Sequence, residues 1–347
     1  MISHSRRRKP VSPVSWGAAL LAVIVIIATW VHYHFFTHSA HPHPVSSASK
    51  RLPTQVKTWD IVEATPLNTP RLPFKIGETS GILWNLNTHQ LLWQLHPHTP
   101  GPLASTTKLM TIYLILHHLA LSRVITISPA AAATSGSDIY MAPGEHFTVN
   151  QLLYGLMLAS ANDASVALAQ SMAGSQRAFV REMNHQARIF GMNGTHYADP
   201  DGLSPQSIGT AWDLSIIAEQ DLRNPLFRHI VDTKITHLPH NPIVRNLNGL
   251  LFIDPSVIGI KTGWTTKAGF NLVFAATRQV RGHSVTLLGV ILHAQHGFPP
   301  EYQDAEKILN WGFQQVSLQT ASPHHGLFNI STTAPGGKVP VTKKGSP

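Results

Sequence analysis

The sequence predicts an α/β fold in which a single sheet is assembled from both ends of a domain while helices fill the middle. Three stretches carry that expectation. Residues 81–86 and 90–93 flank the turn residues Asn87, Thr88 and His89 and read as a β-hairpin. Residues 269–278 and 284–292 flank a turn at Arg281 and Gly282 and read as a second hairpin. Between them, over about 104–225, apolar residues recur at helical spacing, as in Leu109, Ile112, Tyr113 and Leu116. Strands so far apart share one sheet only if the chain returns to it, hence a mixed class.

Each segment has its own justification. Arg6, Arg7, Arg8 and Lys9 precede an apolar run over 16–31, extended by aromatic and histidine residues to 36. A helix over 16–36 would reach roughly 30 Å, enough to cross a bilayer. Basic residues before it and none just after place 1–15 in the cytoplasm and the remainder outside. Trp30, Tyr33, Phe35 and Phe36 suit the outer interface. The alternative is a cleaved signal sequence, with Ser39, Ala40, Ser47 or Ala48 near the cut. Residues 37–74 are rich in Pro, Ser, Thr and His and read as a linker. The histidines at its start (His32, His34, His38, His41 and His43) fit a solvated segment better than a metal tract. The domain is expected over 75–318, closing with helical spacing at Ala305, Ile308, Leu309 and Phe313. Residues 319–347 read as a flexible tail.

Composition narrows the function classes. The 347 residues allow one large domain or two modest ones, and 43% hydrophobic residues fit a globular chain. There is no cysteine, which removes disulfides, thiolate metal sites and thiol catalysis together. The formal charge of +9 favours anionic surroundings, yet part of it sits in the N-terminal basic cluster. With export and no recognition module, nucleic acid is not the expected partner. No His-Glu-x-x-His and no phosphate-binding glycine loop occurs, so no metal or other cofactor is called for. His96 and His98, and likewise His117 and His118, read as surface or core residues rather than ligands.

Three short motifs carry chemistry, each weak alone. Ser105-Thr106-Thr107-Lys108 opens a helix. A serine there sits by unpaired N–H groups, and a lysine three residues on shares its face and can take its proton when neutral. An ordinary N-cap followed by a lysine looks the same, and Ser47-Ala48-Ser49-Lys50 matches the pattern inside the linker. Ser160-Ala161-Asn162 lies between a helix that starts with the capping-box residues Thr148 and Gln151 and a second helix that Asp163 is placed to cap. That corner can aim side chains into a cleft, or Ser160 and Asn162 can simply cap helix ends. Lys261-Thr262-Gly263 leads into a strand, where an amine and a hydroxyl can grip a carboxylate and glycine leaves room for a substrate backbone.

Taken in order and with their flanks, the three motifs resemble those of the low-molecular-mass penicillin-binding proteins, the serine peptidases of the D-alanyl-D-alanine carboxypeptidase family. The flanks are Leu103-Ala104, Leu109-Met110-Thr111, Asn162-Asp163-Ala164-Ser165 and Gly259-Ile260. Residues 196–203, ending in Asp201-Gly202-Leu203, and the helix start Thr210-Ala211-Trp212-Asp213 extend the likeness. The resemblance implies a DD-peptidase/β-lactamase-like fold, an antiparallel sheet flanked by helices with a mostly helical subdomain. It implies removal of the terminal D-alanine from peptidoglycan stem peptides, β-lactams as inhibitors, and an extracytoplasmic domain at the cell membrane. It makes Ser105 the nucleophile, Lys108 its general base and Ser160 a proton relay. Asn162 would position Lys108 and substrate, Lys261 and Thr262 would hold the terminal carboxylate, and the N–H groups of Ser105 and Trp264 would form the oxyanion hole. Lys108 would then need a depressed pKa, from burial and from Lys261 as a second cation.

Departures are informative. Ala161 stands where relatives usually have glycine, and Leu247 where they often carry a carboxylate-binding arginine. If 245–251 is a strand, Arg245 shares a face with Leu247 and stands in for it. A class A β-lactamase needs a deacylating glutamate, and Glu182 and Glu219 both lack the flanking Glu-x-x-x-Asn pattern. A D-alanyl endopeptidase cutting cross-links and a silent β-lactam-binding sensor remain the alternatives. All of this requires the 105, 160 and 261 neighbourhoods to meet in one cleft.

Overall fold

Alternation of apolar side chains decides which strands are buried on both faces. In the computed structural model, which describes residues 69–239 and 241–321, these strands form the centre of the domain. The basic segment 1–15, the segment 16–36, the linker up to residue 68 and the tail after 321 lie outside the described residues. Among the described residues, no helix is long and apolar enough to cross a membrane.

The first hairpin pairs β1 (Ser80–Asn85) with β2 (Gln90–Leu95). After the short β3 (Gly101–Pro102), a 3-10 turn (Ala104–Thr107) leads into α1 (Lys108–His118). Near its C-terminus, His117 and His118 turn their rings back onto the carbonyls of Tyr113 and Leu114. Then come β4 (Val124–Thr126), α2 (Pro129–Ala132), β5 (His146–Thr148), α3 (Val149–Leu158), α4 (Asn162–Ala173) and α5 (Gln176–Ile189). β6 (Ile208–Gly209), α6 (Ala211–Leu222) and α7 (Pro225–Asp232) complete the helical half. The remaining elements are β7 (Ile235–Leu238), β8 (Asn241–Arg245), α8 (Leu250–Ile253), β9 (Val257–Thr265), β10 (Gly269–Val280), β11 (His283–Ala294) and α9 (Phe298–Ala321).

Helices in the middle are cut where the sequence supplies caps. Thr148 and Gln151 form a reciprocal capping box at α3. Ser128, Ser175, Thr210 and Asn224 cap α2, α5, α6 and α7 through their side chains, with Pro129 and Pro225 just inside.

The sheet runs β2-β1-β11-β10-β9, every pair antiparallel. The N-terminal hairpin therefore inserts beside the last strand, Ile82 opposite Val290, which closes one sheet from both ends of the domain. Along β10, Val273 and Ala275 face the helical half, among Leu109, Leu153 and Ile217. Leu272, Phe274 and Ala276 face the opposite way, onto Ile308, Leu309 and Phe313 of α9. Both faces are covered, so β10 and β11 read as nearly continuous apolar runs rather than a strict alternation.

The structure departs from the sequence expectation at three boundaries. Lys261, Thr262 and Gly263 stand ahead of the expected strand, β10, but lie within a strand of their own, β9. The closing helix continues to Ala321, past the expected boundary at 318. β8 stops at Arg245, so 245–251 is not one strand.

The reciprocal cap at α3 is testable in isolation from catalysis. Thr148→Ala removes the acceptor for the Gln151 N–H and should destabilise the domain by about 1 kcal/mol. Thermal unfolding followed by circular dichroism should then show a midpoint roughly 2–4 °C lower.

Candidate active site

A tight turn precedes α1, and its geometry brings Ser105 over Lys108. In a 3-10 turn residues three apart eclipse each other, which serves the pair better than the α-helical offset. The turn is fixed by Leu103, whose carbonyl accepts from the Thr106 N–H (3.4 Å) and the Thr106 hydroxyl (2.7 Å). Ala104 takes φ 49°, a left-handed conformation costly for a residue with a Cβ. Behind it lies Gly202, itself at φ 84°; a Cβ there would stand 1.8 Å from the Ala104 carbonyl oxygen. That loop can only be glycine.

Lys108 has no exposed surface. Its Nζ reaches the Ser105 Oγ at 3.0 Å, the Asn162 Oδ1 at 2.7 Å and the Asp201 carbonyl at 2.7 Å. Burial pushes its pKa down to about 8, against the pull of Asp201, Asp199 and Asp163, which favour the charged form. The expected repulsion between the two amines falls on Lys261. Lys261 is itself driven well below the usual lysine range, by burial and then by the charge of Lys108. Burial also raises the Asp201 carboxyl to about 6, although Lys108 draws it down.

The corner between α3 and α4 supplies the second side. Ser160 is nearly buried at φ 59°, another left-handed non-glycine residue. Neither Ser160 nor Asn162 caps a helix through its side chain, since the N-cap of α4 is Ala161. Asn162 instead spans the cleft wall, its Oδ1 on Lys108 and its Nδ2 donating to the Ser135 carbonyl at 2.8 Å. Asp163 is not the N-cap, which is Ala161, but its carboxylate accepts the first-turn N–H of Ala164 at 2.8 Å. It also accepts the N–H groups of Ile139 and Met141, and so ties the 135–141 loop to the start of α4.

The third side is β9, at the edge of the sheet. A Cβ on Gly263 would come within 2.9 Å of the Ser105 nitrogen and 3.0 Å of the Thr106 nitrogen, so the strand presses directly on the serine turn. Lys261 is buried and donates to the Thr262 carbonyl at 2.9 Å. Trp264 is half exposed at the rim and lies against Phe270, ring centroids 5.8 Å apart. The 105, 160 and 261 neighbourhoods therefore meet around Ser105 and Lys108.

The arginine replacement expected from Arg245 fails with the strand that was to justify it. Arg245 lies over the Phe252 ring, 4.2 Å from its centroid. Leu247 sits beyond the strand end, 50% exposed, its N–H on the Leu158 carbonyl and its carbonyl held by the Tyr302 hydroxyl.

Sequence reasoning marked the 196–203 stretch but missed the roles of Asp201 and Asp199. Asp201 serves through its backbone carbonyl, which no side-chain pattern reports. Asp199 accepts from the N–H groups of Gly202 and Ser204 and from the Ser207 hydroxyl, holding the loop that presents Asp201. Its signal was the Asp-Pro-Asp-Gly run, a turn pattern.

A family profile described as D-alanyl-D-alanine carboxypeptidase matches residues 67–295. The chain is 31% identical over 278 residues to the D-alanyl-D-alanine carboxypeptidase DacF of Bacillus subtilis, a match covering 77% of this chain and 65% of that protein. It is 35% identical over 272 residues to a D-alanyl-D-alanine carboxypeptidase of a Streptomyces strain, covering 72% of this chain and 91% of that protein. Among solved structures, the Streptomyces K15 DD-transpeptidase superposes with a TM-score of 0.65 at 33% identity, over 70% of this chain and all (100%) of that one. Penicillin binding protein 6B of Escherichia coli gives 0.65 at 31% identity, over 71% of this chain and 81% of that one.

The glycine behind the serine turn gives a direct test of the geometry. Gly202→Ala should destabilise the domain by about 3 kcal/mol, since backbone rather than a movable side chain meets the new methyl. A thermal midpoint within about 2 °C of the parent would contradict the close approach to Ala104.

Proposed function

The chain belongs to the D-alanyl-D-alanine carboxypeptidase family, and on that premise we propose that it removes the terminal D-alanine from peptidoglycan stem peptides through an acyl-enzyme on Ser105. One observation carries the reading: a fully buried lysine amine lies 3.0 Å from a half-buried serine hydroxyl at the floor of the cleft. A buried lysine that loses its proton near pH 8 is a base within reach of neutral conditions.

In this reading the Ser105 hydroxyl passes its proton to neutral Lys108 as Oγ attacks the carbonyl between the two D-alanines. The oxyanion is received by the N–H groups of Ser105 and Trp264, from the serine turn and from β9. Collapse breaks the peptide bond, and the departing amine takes a proton through Ser160 from Lys108. Water then attacks the ester, giving up a proton to Lys108, which passes it to the departing Ser105 Oγ as the shortened peptide leaves. Asn162 holds the lysine in line. Lys261 and Thr262 receive the substrate's terminal carboxylate, whose charge draws a proton back onto the Lys261 amine. Gly263 keeps the wall thin enough for the substrate backbone to lie against β9. A β-lactam presents the same carbonyl and would acylate Ser105 with slow release. The domain acts outside the cytoplasm, tethered at the membrane through 16–36.

A second reading, cleavage of D-alanyl cross-links, draws on Leu247. An apolar, half-exposed side chain tied to the end of α3 offers no charge to a free carboxylate. Mass spectrometry on purified pentapeptide and on cross-linked dimer separates the two: loss of one alanine from the pentapeptide supports the carboxypeptidase, whereas cutting of the dimer alone favours the endopeptidase.

Ser105→Ala should abolish labelling by fluorescent penicillin and lower pentapeptide turnover by at least about 10³-fold while the fold is kept. Labelling that survives in that variant removes Ser105 as nucleophile. Because the base must be neutral, acylation should rise with pH and level off above a midpoint near 8. A rate that is flat from pH 6 to pH 9 would rule against Lys108 in that role.

A further inference from the structure

Asn271 lies on β10, outside the three motifs, and is completely buried. Its Nδ2 donates to two successive carbonyls, Pro102 (3.1 Å) and Leu103 (3.0 Å), just ahead of the serine turn. Its Oδ1 accepts the His293 N–H at 2.8 Å. That N–H is free because β11 bulges there: Phe270 pairs with Ala294 but Leu272 with Ile291, so Leu292 and His293 together oppose Asn271. The bulge places His293 at φ 65°, a strained conformation for a residue with a Cβ. The His293 ring holds it there, its Nδ1 bonded to the Ala268 carbonyl at 2.9 Å.

On its other side Asn271 is the register partner of Gly263, next to Trp264. The two N–H groups assigned above to the oxyanion come from separate segments, the serine turn and β9. β9 pairs with β10 through the ladder and meets the turn directly at Gly263, while the Asn271 amide hydrogen-bonds the start of the turn to β10. The Leu103 carbonyl that receives Asn271 is the same group that closes the turn onto Thr106. We propose that Asn271 is a positioning residue that sets the spacing between the Ser105 and Trp264 N–H groups, with the β11 bulge at His293 fixing its amide orientation. The role needs both functions of an amide, donor towards Leu103 and acceptor from His293. Neither aspartate nor a hydrocarbon supplies both.

This rests on the carboxypeptidase reading, and the experiment separates the two. Parent, Asn271→Asp and Asn271→Ala are compared for the rate of acylation by fluorescent penicillin, the affinity of the preceding non-covalent complex, and hydrolysis of the acyl-enzyme. Thermal unfolding and near-ultraviolet circular dichroism identify the folded variants; alanine stands in if aspartate does not fold. A displaced oxyanion site should slow acylation and deacylation together by about 30- to 300-fold, with non-covalent affinity within about threefold of the parent. The pH midpoint of acylation should stay where the parent has it, since the bonding partners of Lys108 are untouched. A folded variant acylating within threefold of the parent overturns the proposal. So does a loss confined to non-covalent affinity, or one explained by a moved pH midpoint. A parent protein that penicillin does not acylate instead overturns the carboxypeptidase reading itself.

Discussion

A lysine amine with no access to water must find all its partners inside the protein, and Lys108 finds them on three different segments. The serine turn, the α3–α4 corner and the 199–203 loop each give it one acceptor. Leaving an ammonium buried without them would cost several kcal/mol, so the three segments are held together by the requirement to satisfy one group. The acceptors are all formally neutral, and the nearby aspartates act at longer range. Burial therefore wins, but only partly, and the pKa settles near 8 rather than collapsing. A lysine paired directly with a carboxylate would be held charged and useless as a base. One with no carboxylates nearby would lose the charge that organises its three partners.

The backbone strain around the site follows from that convergence. Ala104 and Ser160 both adopt left-handed conformations, one just before Ser105 and one at the corner opposite. Gly202 and Gly263 are the places where a neighbouring backbone leaves no room for a methyl. The serine turn packs on the face of β9 at Gly263, where only a hydrogen fits between strand and turn. Sheet and helix start shape one another there: the strand ends the turn's freedom.

What could be read from the sequence depended on whether a residue acts through a local pattern. The hairpins, the capping box at Thr148 and Gln151, and Ser105 with Lys108 three residues on are all short-range relations, and each is found in the structure. Asp163 was legible only in part, since an aspartate at a helix start looks like a cap, whereas its carboxylate also serves the N–H groups of a loop more than twenty residues back. Arg245 misled because alternation was extended past the end of its strand. Asn271 and the Asp201 carbonyl were silent. The first acts across a separation of 168 residues onto Leu103, and the second through backbone. Local chemistry is legible in a sequence. Groups that act across the fold become visible only when the sheet is assembled.

The mouth of the cleft shows the same dependence at longer range. Trp264 lies against Phe270, Phe270 meets Phe298 edge-on, and Phe298 stacks on Tyr302, whose hydroxyl holds the Leu247 carbonyl. Phe298 and Tyr302 both belong to the first turns of α9, so one helix start contacts both rims of the cleft. That helix start is seated on a buried carboxyl: burial, with Glu78 nearby, pushes Glu301 up to about 9, and burial raises Glu78 to about 7. Burial thus favours the neutral form of the Glu301 carboxyl. The last helix of the domain, whose apolar spacing is plain in the sequence, closes the second core. It also touches, through Phe298 and Tyr302, the neighbours of a site whose motifs all lie earlier in the chain.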